Sequence, residues 1–572
     1  MNGRSGTMEV VWHVLDSFKW FTVYEWVLCS IDVLILIWYA FPIRVYFRWL
    51  DFVPVTGVAV AVASVCSGDI TIPAILLYAF TGVLFACTAT KLWKPISHIP
   101  VPRYRFVRIL LCGAGVVPIV LALLVAGELR YNPESDYSEL GYSQAFVQLN
   151  ERLSREYPFE DWKKVNWQER KAKYEPIFKQ AEQAKNKALY YKTLREYVHS
   201  LRDGHSKIVN EDLYSDNPVF HAEAGGGYGI STIMLDNGTI RVDLLIHGSP
   251  AENSGIQLGA EIVRWDGKAA KEAYERTVWS ENPTATEGDR RVNQGRFMVR
   301  APIGKEVEVE YRNIGDSHIK TTTLTAYDDK YESLKKTRVK LNREDPPLEA
   351  KQLPNGYGYV KIRYFLPSQS MPDPVKTLEE ILIEFQEQKV KGIIIDVRDN
   401  PGGSDDMVAD SSGFFVQEEK LYENVSYYNR NTGTFELNDL ESRTIKPAAN
   451  TYNGNVAILI NHRTTSSGEG LPIALKGLPH VKVVGFTSTN GSFGVVTRPI
   501  RVAMPEGYIL EFPDGRSLGV NNVIQGDSND HGQGGGIPDV KVPLNEQTFY
   551  EKVVEGKDVE LDYAVQALER MK

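Results

Sequence analysis

Two segments of the chain place residues able to do nucleophilic chemistry at the ends of apolar runs. Val456–Ile460 reads as a strand, Asn461–Thr465 as a turn, and Ser467-Gly-Glu469 opens a helix, so Ser466 falls at a strand-to-helix corner. A hydroxyl there meets the free N–H groups and positive end of the helix, which stabilise negative charge. A serine at that place can also be an N-cap, which satisfies helix N–H groups and does nothing else. The second segment, Gly392–Val397 followed by Arg-Asp-Asn-Pro and Gly402-Gly403, is a buried strand running into a glycine-rich turn. Bare backbone N–H groups at the carboxyl end of a strand suit an oxyanion, a phosphate or plain close packing.

The elements around these segments alternate. Strands are expected at Gly358–Arg363, Gly392–Val397, Val456–Ile460 and Val481–Gly485, with helices over 373–389, 405–416 and 467–476 between them. That order predicts an α/β layer with a largely parallel sheet. Upstream, 225–325 is a run of short strands and turns, and Ser138–Ile208 is amphipathic and helical, with apolar residues spaced by threes and fours up to a stop at Asp203-Gly204-His205.

The stretch 225–325 resembles a PDZ domain, on Gly227-Tyr228-Gly229-Ile230 and the run Gly248-Ser-Pro-Ala-Glu-Asn-Ser-Gly255. The resemblance implies that Gly227, Tyr228, Gly229 and Ile230 hold a peptide's terminal carboxylate while the peptide adds a strand to a sheet edge. The polar insertion 270–301 has no assigned role. Residues from the helical region to the closing Gly536-Ile-Pro-Asp539 are similar, in order, to the C-terminal processing peptidase and tricorn-core family of serine peptidases. That similarity implies a ClpP/crotonase-like catalytic domain with Ser466 as nucleophile and an oxyanion hole from Ser467 with Gly402 or Gly403. The lysine that processing peptidases carry is missing: Gly491 fills its slot, and Lys476 and Lys482 sit at other offsets. The Asp-Gly-His segment of tricorn-like members matches 203–205, so the resemblance makes His205 the base, with a near-neutral pKa suited to the task. The orienting acid of the family would fall at Gln533, with Asp530 and Asp527 as neighbouring substitutes.

Composition divides the chain. Its 572 residues carry 64 Lys+Arg and 73 Asp+Glu, a net charge of -9 that argues against a nucleic-acid partner. Residues 1–130 are net basic and apolar, and the rest is acidic; all four cysteines, Cys29, Cys66, Cys87 and Cys112, fall in the first part, which excludes a cysteine nucleophile or thiolate metal site later on. No His-Glu-x-x-His arrangement occurs, and no metal or cofactor is implied. Apolar runs at about 20–42, 52–67, 70–90 and 107–127 are read as four membrane spans, since about 20 apolar residues cross a bilayer. Basic residues Arg44, Arg48, Lys91, Lys94, Arg103, Arg105 and Arg108 between them would then lie in the cytoplasm, leaving the later part outside. Asp32 interrupts the first run.

The expected architecture is therefore an all-α multi-span membrane domain over 1–130, a helical region over 131–215, a PDZ domain over 222–328 and an α/β serine peptidase domain over 329–572. The expected function is that of a multi-pass membrane-anchored endopeptidase in the cell membrane, acting outside the cytoplasm on proteins or peptides with free C-termini. The alternative is a weak or inactive PDZ-containing scaffold at the membrane, a reading that the missing acid at Gln533 favours.

Overall fold

A computed structural model describes residues 23–40, 77–82 and 135–571, save 215, 216, 339, 340, 343, 431 and 498. The chain divides into two compact units: residues 1–135 with 427–436 and 498–501, and the remainder from Asp136 onward. In the first unit the described residues are helical over Val23–Ala40 and over 77–82. Asp32 is buried and accepts a hydrogen bond from Thr81 Oγ1 at 2.9 Å. No helix among the described residues is long and apolar enough to cross a membrane. This overturns the expected multi-span domain and the localisation built on it. The runs at 52–67 and 107–127 lie outside the described residues, as does most of 70–90. An apolar run reports that side chains avoid water, and the buried Asp32 within the first is satisfied by a neighbouring threonine.

The second unit begins with three packed helices, α1 (Tyr142–Glu156), α2 (Trp167–Gln183) and α3 (Lys187–His199). Their apolar faces are rich in aromatics: Phe146 stacks on Phe178 at 4.6 Å and meets Tyr197 edge-on at 5.0 Å. Asn166 and Asn186 cap α2 and α3, each accepting an N–H three residues on. A two-residue strand, β1 (Lys207–Ile208), follows.

The antiparallel sheet after it runs in the order β6-β5-β4-β3-β2, where β2 is Ile230–Met234, β3 Ile240–Leu245, β4 Glu261–Trp265, β5 Glu306–Arg312 and β6 Lys320–Thr325. The insertion 270–301 contains helix α4 (Glu287–Met298), capped by Thr286, whose Oγ1 accepts the N–H of Asp289. Helix α4 lies along the free edge of β2. Thr232 Oγ1 donates to the Gly295 carbonyl at 2.8 Å, and a Cβ on Gly295 would stand 1.9 Å from the Thr232 carbonyl oxygen. Only glycine lets the helix backbone come that close.

The last layer is a six-stranded sheet in the order β7-β8-β9-β10-β11-β13: β7 is Leu348–Gln352, β8 Gly358–Ile362, β9 Ile393–Asp396, β10 Val456–Leu459, β11 Val481–Gly485 and β13 Val540–Lys541. β7 pairs antiparallel with β8; every other pair is parallel. The central strands are buried on both faces, as parallel strands between helices must be. Ile393, Ile395, Val456 and Ile458 face helices α5 (Pro374–Glu387), α6 (Asp405–Ser412) and α7 (Ser467–Leu475). The alternate residues Ile394, Ala457 and Leu459 face the last helix, α8 (Val559–Arg570). Strand β12 (Ile509–Phe512) pairs with β1 through Leu510–Ile208 and Glu511–Lys207 in a separate small sheet, joining a late segment of the chain to the helical region.

Candidate active site

The turns leaving β9 and β10 are laced together. Thr464 Oγ1 donates to the Val397 carbonyl at 2.8 Å, and the Thr465 N–H to that of Asn400 at 2.9 Å. Ser466 follows with φ 56 and ψ -138, a sparsely populated conformation costing about 1–3 kcal/mol that the laced turns hold in place. It stands at the N-terminus of α7, but its side chain caps nothing there. The N-cap alternative is thereby removed: the hydroxyl makes no hydrogen bond among the described residues.

Two backbone donors flank that hydroxyl. The N–H of Ser467 is the first of α7 and has no intrahelical partner, while the Ser467 hydroxyl donates to the Gly403 carbonyl at 3.1 Å. Gly402 packs directly on Ser466, since a Cβ on it would lie 2.7 Å from the Ser466 Cβ, and its φ of +103 closes the position to other residues. The Gly402 N–H is taken by Asn400 Oδ1 at 2.8 Å. The Gly403 N–H makes no hydrogen bond among the described residues, so of the two expected glycines it is the one with a donor to offer.

His205 is 9% exposed and lies in a turn fixed by Asp203. Asp203 Oδ1 accepts the His205 N–H at 3.0 Å, and Oδ2 accepts from Ser206 at 2.8 Å and from the Tyr157 hydroxyl at 3.2 Å. Burial holds the imidazole below its usual pKa. The turn meets the serine loop through Ser492, whose Oγ accepts the Gly204 N–H at 3.0 Å and whose carbonyl accepts the Ser466 N–H at 3.1 Å. Ser492 is placed in turn by Glu469, whose carboxylate accepts the N–H groups of Ser492 at 2.9 Å and Gly491 at 2.8 Å and the Thr489 hydroxyl. Burial pushes the Glu469 pKa up to about 7. No hydrogen bond joins Ser466 Oγ to His205.

Lys163 supplies a second brace. Its Nζ donates to the Arg202 carbonyl at 3.0 Å, the Ser528 carbonyl at 2.7 Å and Ser528 Oγ at 2.9 Å, and burial lowers its pKa. Sequence reasoning missed Ser492, Glu469 and Lys163 as parts of the site; only Glu469, three residues after Ser466, gave any signal.

The three expected orienting groups differ in their surroundings. The Gln533 side chain is exposed and makes no hydrogen bond, while its N–H goes to Asn529 Oδ1. Asp530 is paired with Lys164 at 2.7 Å. Asp527 is buried and accepts the Phe493 N–H at 3.2 Å, its pKa raised by burial. Of the other histidines, burial takes His462 down to about 3, and His531 is exposed. Lys476, at the end of α7, meets Asp539 at 3.6 Å. Among the described residues no three or more His, Cys, Asp or Glu side chains converge as metal ligands.

Gly227, Tyr228, Gly229 and Ile230 are all buried. The Gly227 N–H donates to the Tyr327 carbonyl at 3.0 Å, and the Gly229 carbonyl accepts from Ile246 at 2.7 Å.

A strained serine at a strand-to-helix turn, two free N–H groups beside it and a buried histidine on an adjoining turn are the parts of a serine hydrolase. Residues 356–541 match the model of Peptidase family S41, over about a third of the chain. Over 298 residues it is 22% identical to the carboxy-terminal processing protease CtpA of Bacillus subtilis (strain 168), covering 52% of this chain and 53% of that one. It is also 22% identical over 368 residues to a carboxyl-terminal-processing protease of Synechocystis sp. (strain ATCC 27184 / PCC 6803 / Kazusa), covering 63% and 74%. The chain thus spans about half the length of the first of these relatives. Among solved structures, mature CPAF complexed with lactacystin shares the fold, with a TM-score of 0.52 at 13% identity over 75% of this chain and 99% of that one.

Proposed function

We propose that the chain is an endopeptidase in which Ser466 Oγ attacks the carbonyl of a peptide bond. His205 takes the hydroxyl proton and returns it to the leaving amine, and the N–H groups of Ser467 and Gly403 hold the oxyanion. The observation that carries this reading is the Ser466 hydroxyl, uncapped and strained at the N-terminus of α7 with Gly402 packed against it. Burial of His205 supports it, because an imidazole kept neutral at pH 7 can accept a proton. The substrates are proteins, and the names of the relatives point to cleavage near carboxyl termini. The antiparallel sheet that ends at β2 is the part we assign to holding the substrate's end, at β2, which requires α4 to move off that edge. Labelling the full chain with a fluorophosphonate tests the core of the proposal: wild type should be modified and Ser466→Ala should not.

A second reading, a folded but inactive binding protein, is favoured by one observation, the lack of any hydrogen bond between Ser466 and His205. Under it the wild type stays unlabelled while correctly folded.

A further inference from the structure

His205 presents an incomplete side. Its Nδ1 is buried and has no hydrogen-bond partner, whereas buried polar atoms are ordinarily paired. In a serine hydrolase this nitrogen must carry the proton so that the other can receive one, and an acceptor normally fixes that tautomer. Of the carboxylates that act on the imidazole, Asp203 is already engaged through both oxygens and Glu511 is paired with Lys207, and Asp530 and Gln533 are occupied or exposed elsewhere.

Asn490 has the complementary deficit. Its Oδ1 is buried and unpartnered, and it lies 2.9 Å from where a Cβ on Gly204, the residue before His205, would stand. The amide cannot simply be turned over, because Nδ2 donates to the His462 carbonyl at 3.1 Å, so the oxygen must be the atom facing the histidine turn. The Asn490 backbone is anchored too, its N–H donating to the Thr464 carbonyl at 2.9 Å in the loop that carries Ser466. An unpaired acceptor thus faces the residue that precedes the one with the unpaired donor position.

We propose that Asn490 is the positioning residue for His205: as the imidazole turns toward Ser466, Asn490 Oδ1 accepts its Nδ1–H and leaves Nε2 free to take the serine proton. This rests on the peptidase reading above. The neutral amide does for this histidine what a carboxylate does in an acid-containing triad, without adding a buried charge. Asp527, whose Oδ2 is also buried and unpartnered, is the rival acceptor.

The test uses the full chain with labelled histidines, His205→Ala serving to assign the resonance, and reads the His205 tautomer by nitrogen chemical shift beside the pH dependence of fluorophosphonate labelling. Wild type should hold the Nδ1–H tautomer. Asn490→Leu should lose it and label about 10²-fold more slowly, Asn490→Asp should keep labelling with its acid limb moved to higher pH because a carboxylate favours the imidazolium, and Asp527→Asn should keep the tautomer. The proposal is overturned if Asn490→Leu keeps the wild-type tautomer and rate, or if Asp527→Asn is the change that loses the tautomer. Should Asn490→Leu fail to fold, an unmoved acid limb in Asn490→Asp overturns it. An unlabelled wild type would end the peptidase reading alone, since the tautomer comparison still decides the role of Asn490.

Discussion

Glu469 Oε1 accepts the N–H of Ser492 at 2.9 Å, so a carboxyl inside the nucleophile's own helix positions the residue that links the serine loop to the histidine turn. With a folded pKa of about 7 against an ordinary value of 4.5, the folded state holds this proton more tightly than the unfolded state. The associated stability is complete below about pH 4.5 and is lost as pH rises through about 7. Glu469→Gln should flatten that fall, which is at most about 1.4 kcal/mol per pH unit for one proton. Urea unfolding at pH 5, 6, 7 and 8 checks it, and equal slopes in both proteins would refute the assignment.

Activity should switch on below the usual histidine pKa. Because burial lowers the His205 pKa, the acid limb of the pH–rate profile should lie under 6.5 and be absent in His205→Ala. That variant should lose several orders of magnitude in labelling rate, comparably to Ser466→Ala, since such residues act as a unit. Lys476→Ala and Lys482→Ala should remain close to wild type, and a collapse in either would relocate the base.

A methyl group on Gly402 has nowhere to go. At 2.7 Å from the Ser466 Cβ and with φ at +103, Gly402→Ala should displace the serine and distort the oxyanion donors. A loss of about 10²–10³-fold in turnover is expected, with circular dichroism near that of wild type. Retained turnover would place the oxyanion elsewhere.

Peptide binding at β2 should compete with α4. Gly295→Ala puts a Cβ 1.9 Å from the Thr232 carbonyl oxygen and loosens the helix, so the variant should be less stable yet bind a peptide with a free carboxylate more tightly than wild type does. Calorimetric titration with the peptide acid and its amide measures both effects. Equal affinity for the two ligands in both proteins would remove the sheet edge as a recognition site.

Local signals identified the residues at each turn, and long-range contacts decided how they are joined. Ser466 and the Gly402-Gly403 turn were readable because apolar runs lead into them, and β9 and β10 fall at Ile393–Asp396 and Val456–Leu459, where the runs lie. The bridge from Gly204 to Ser492 crosses 288 positions of sequence and left no local trace. The strands Lys420–Asn429 and Thr434–Ile445 went unread between the expected helix at 405–416 and the strand at 456, since charged residues along them blur the apolar alternation. The orienting group was sought among acids before the closing segment, whereas the structure turns Gln533 to the surface and places Asn490 against Gly204. The apolar runs before residue 130 read as spans because hydropathy measures avoidance of water and cannot name the medium that replaces it.

The three hydrogen bonds of Lys163 have a consequence for folding order. They join positions up to 365 residues apart, and the histidine turn that they brace adjoins a serine loop more than 250 residues further along the chain. Contacts of such sequence separation form late because loop closure must precede them. A growing chain that has exposed only its helical part or its first sheet therefore holds no assembled centre, and any peptidase activity should appear only after the final third of the sequence has docked.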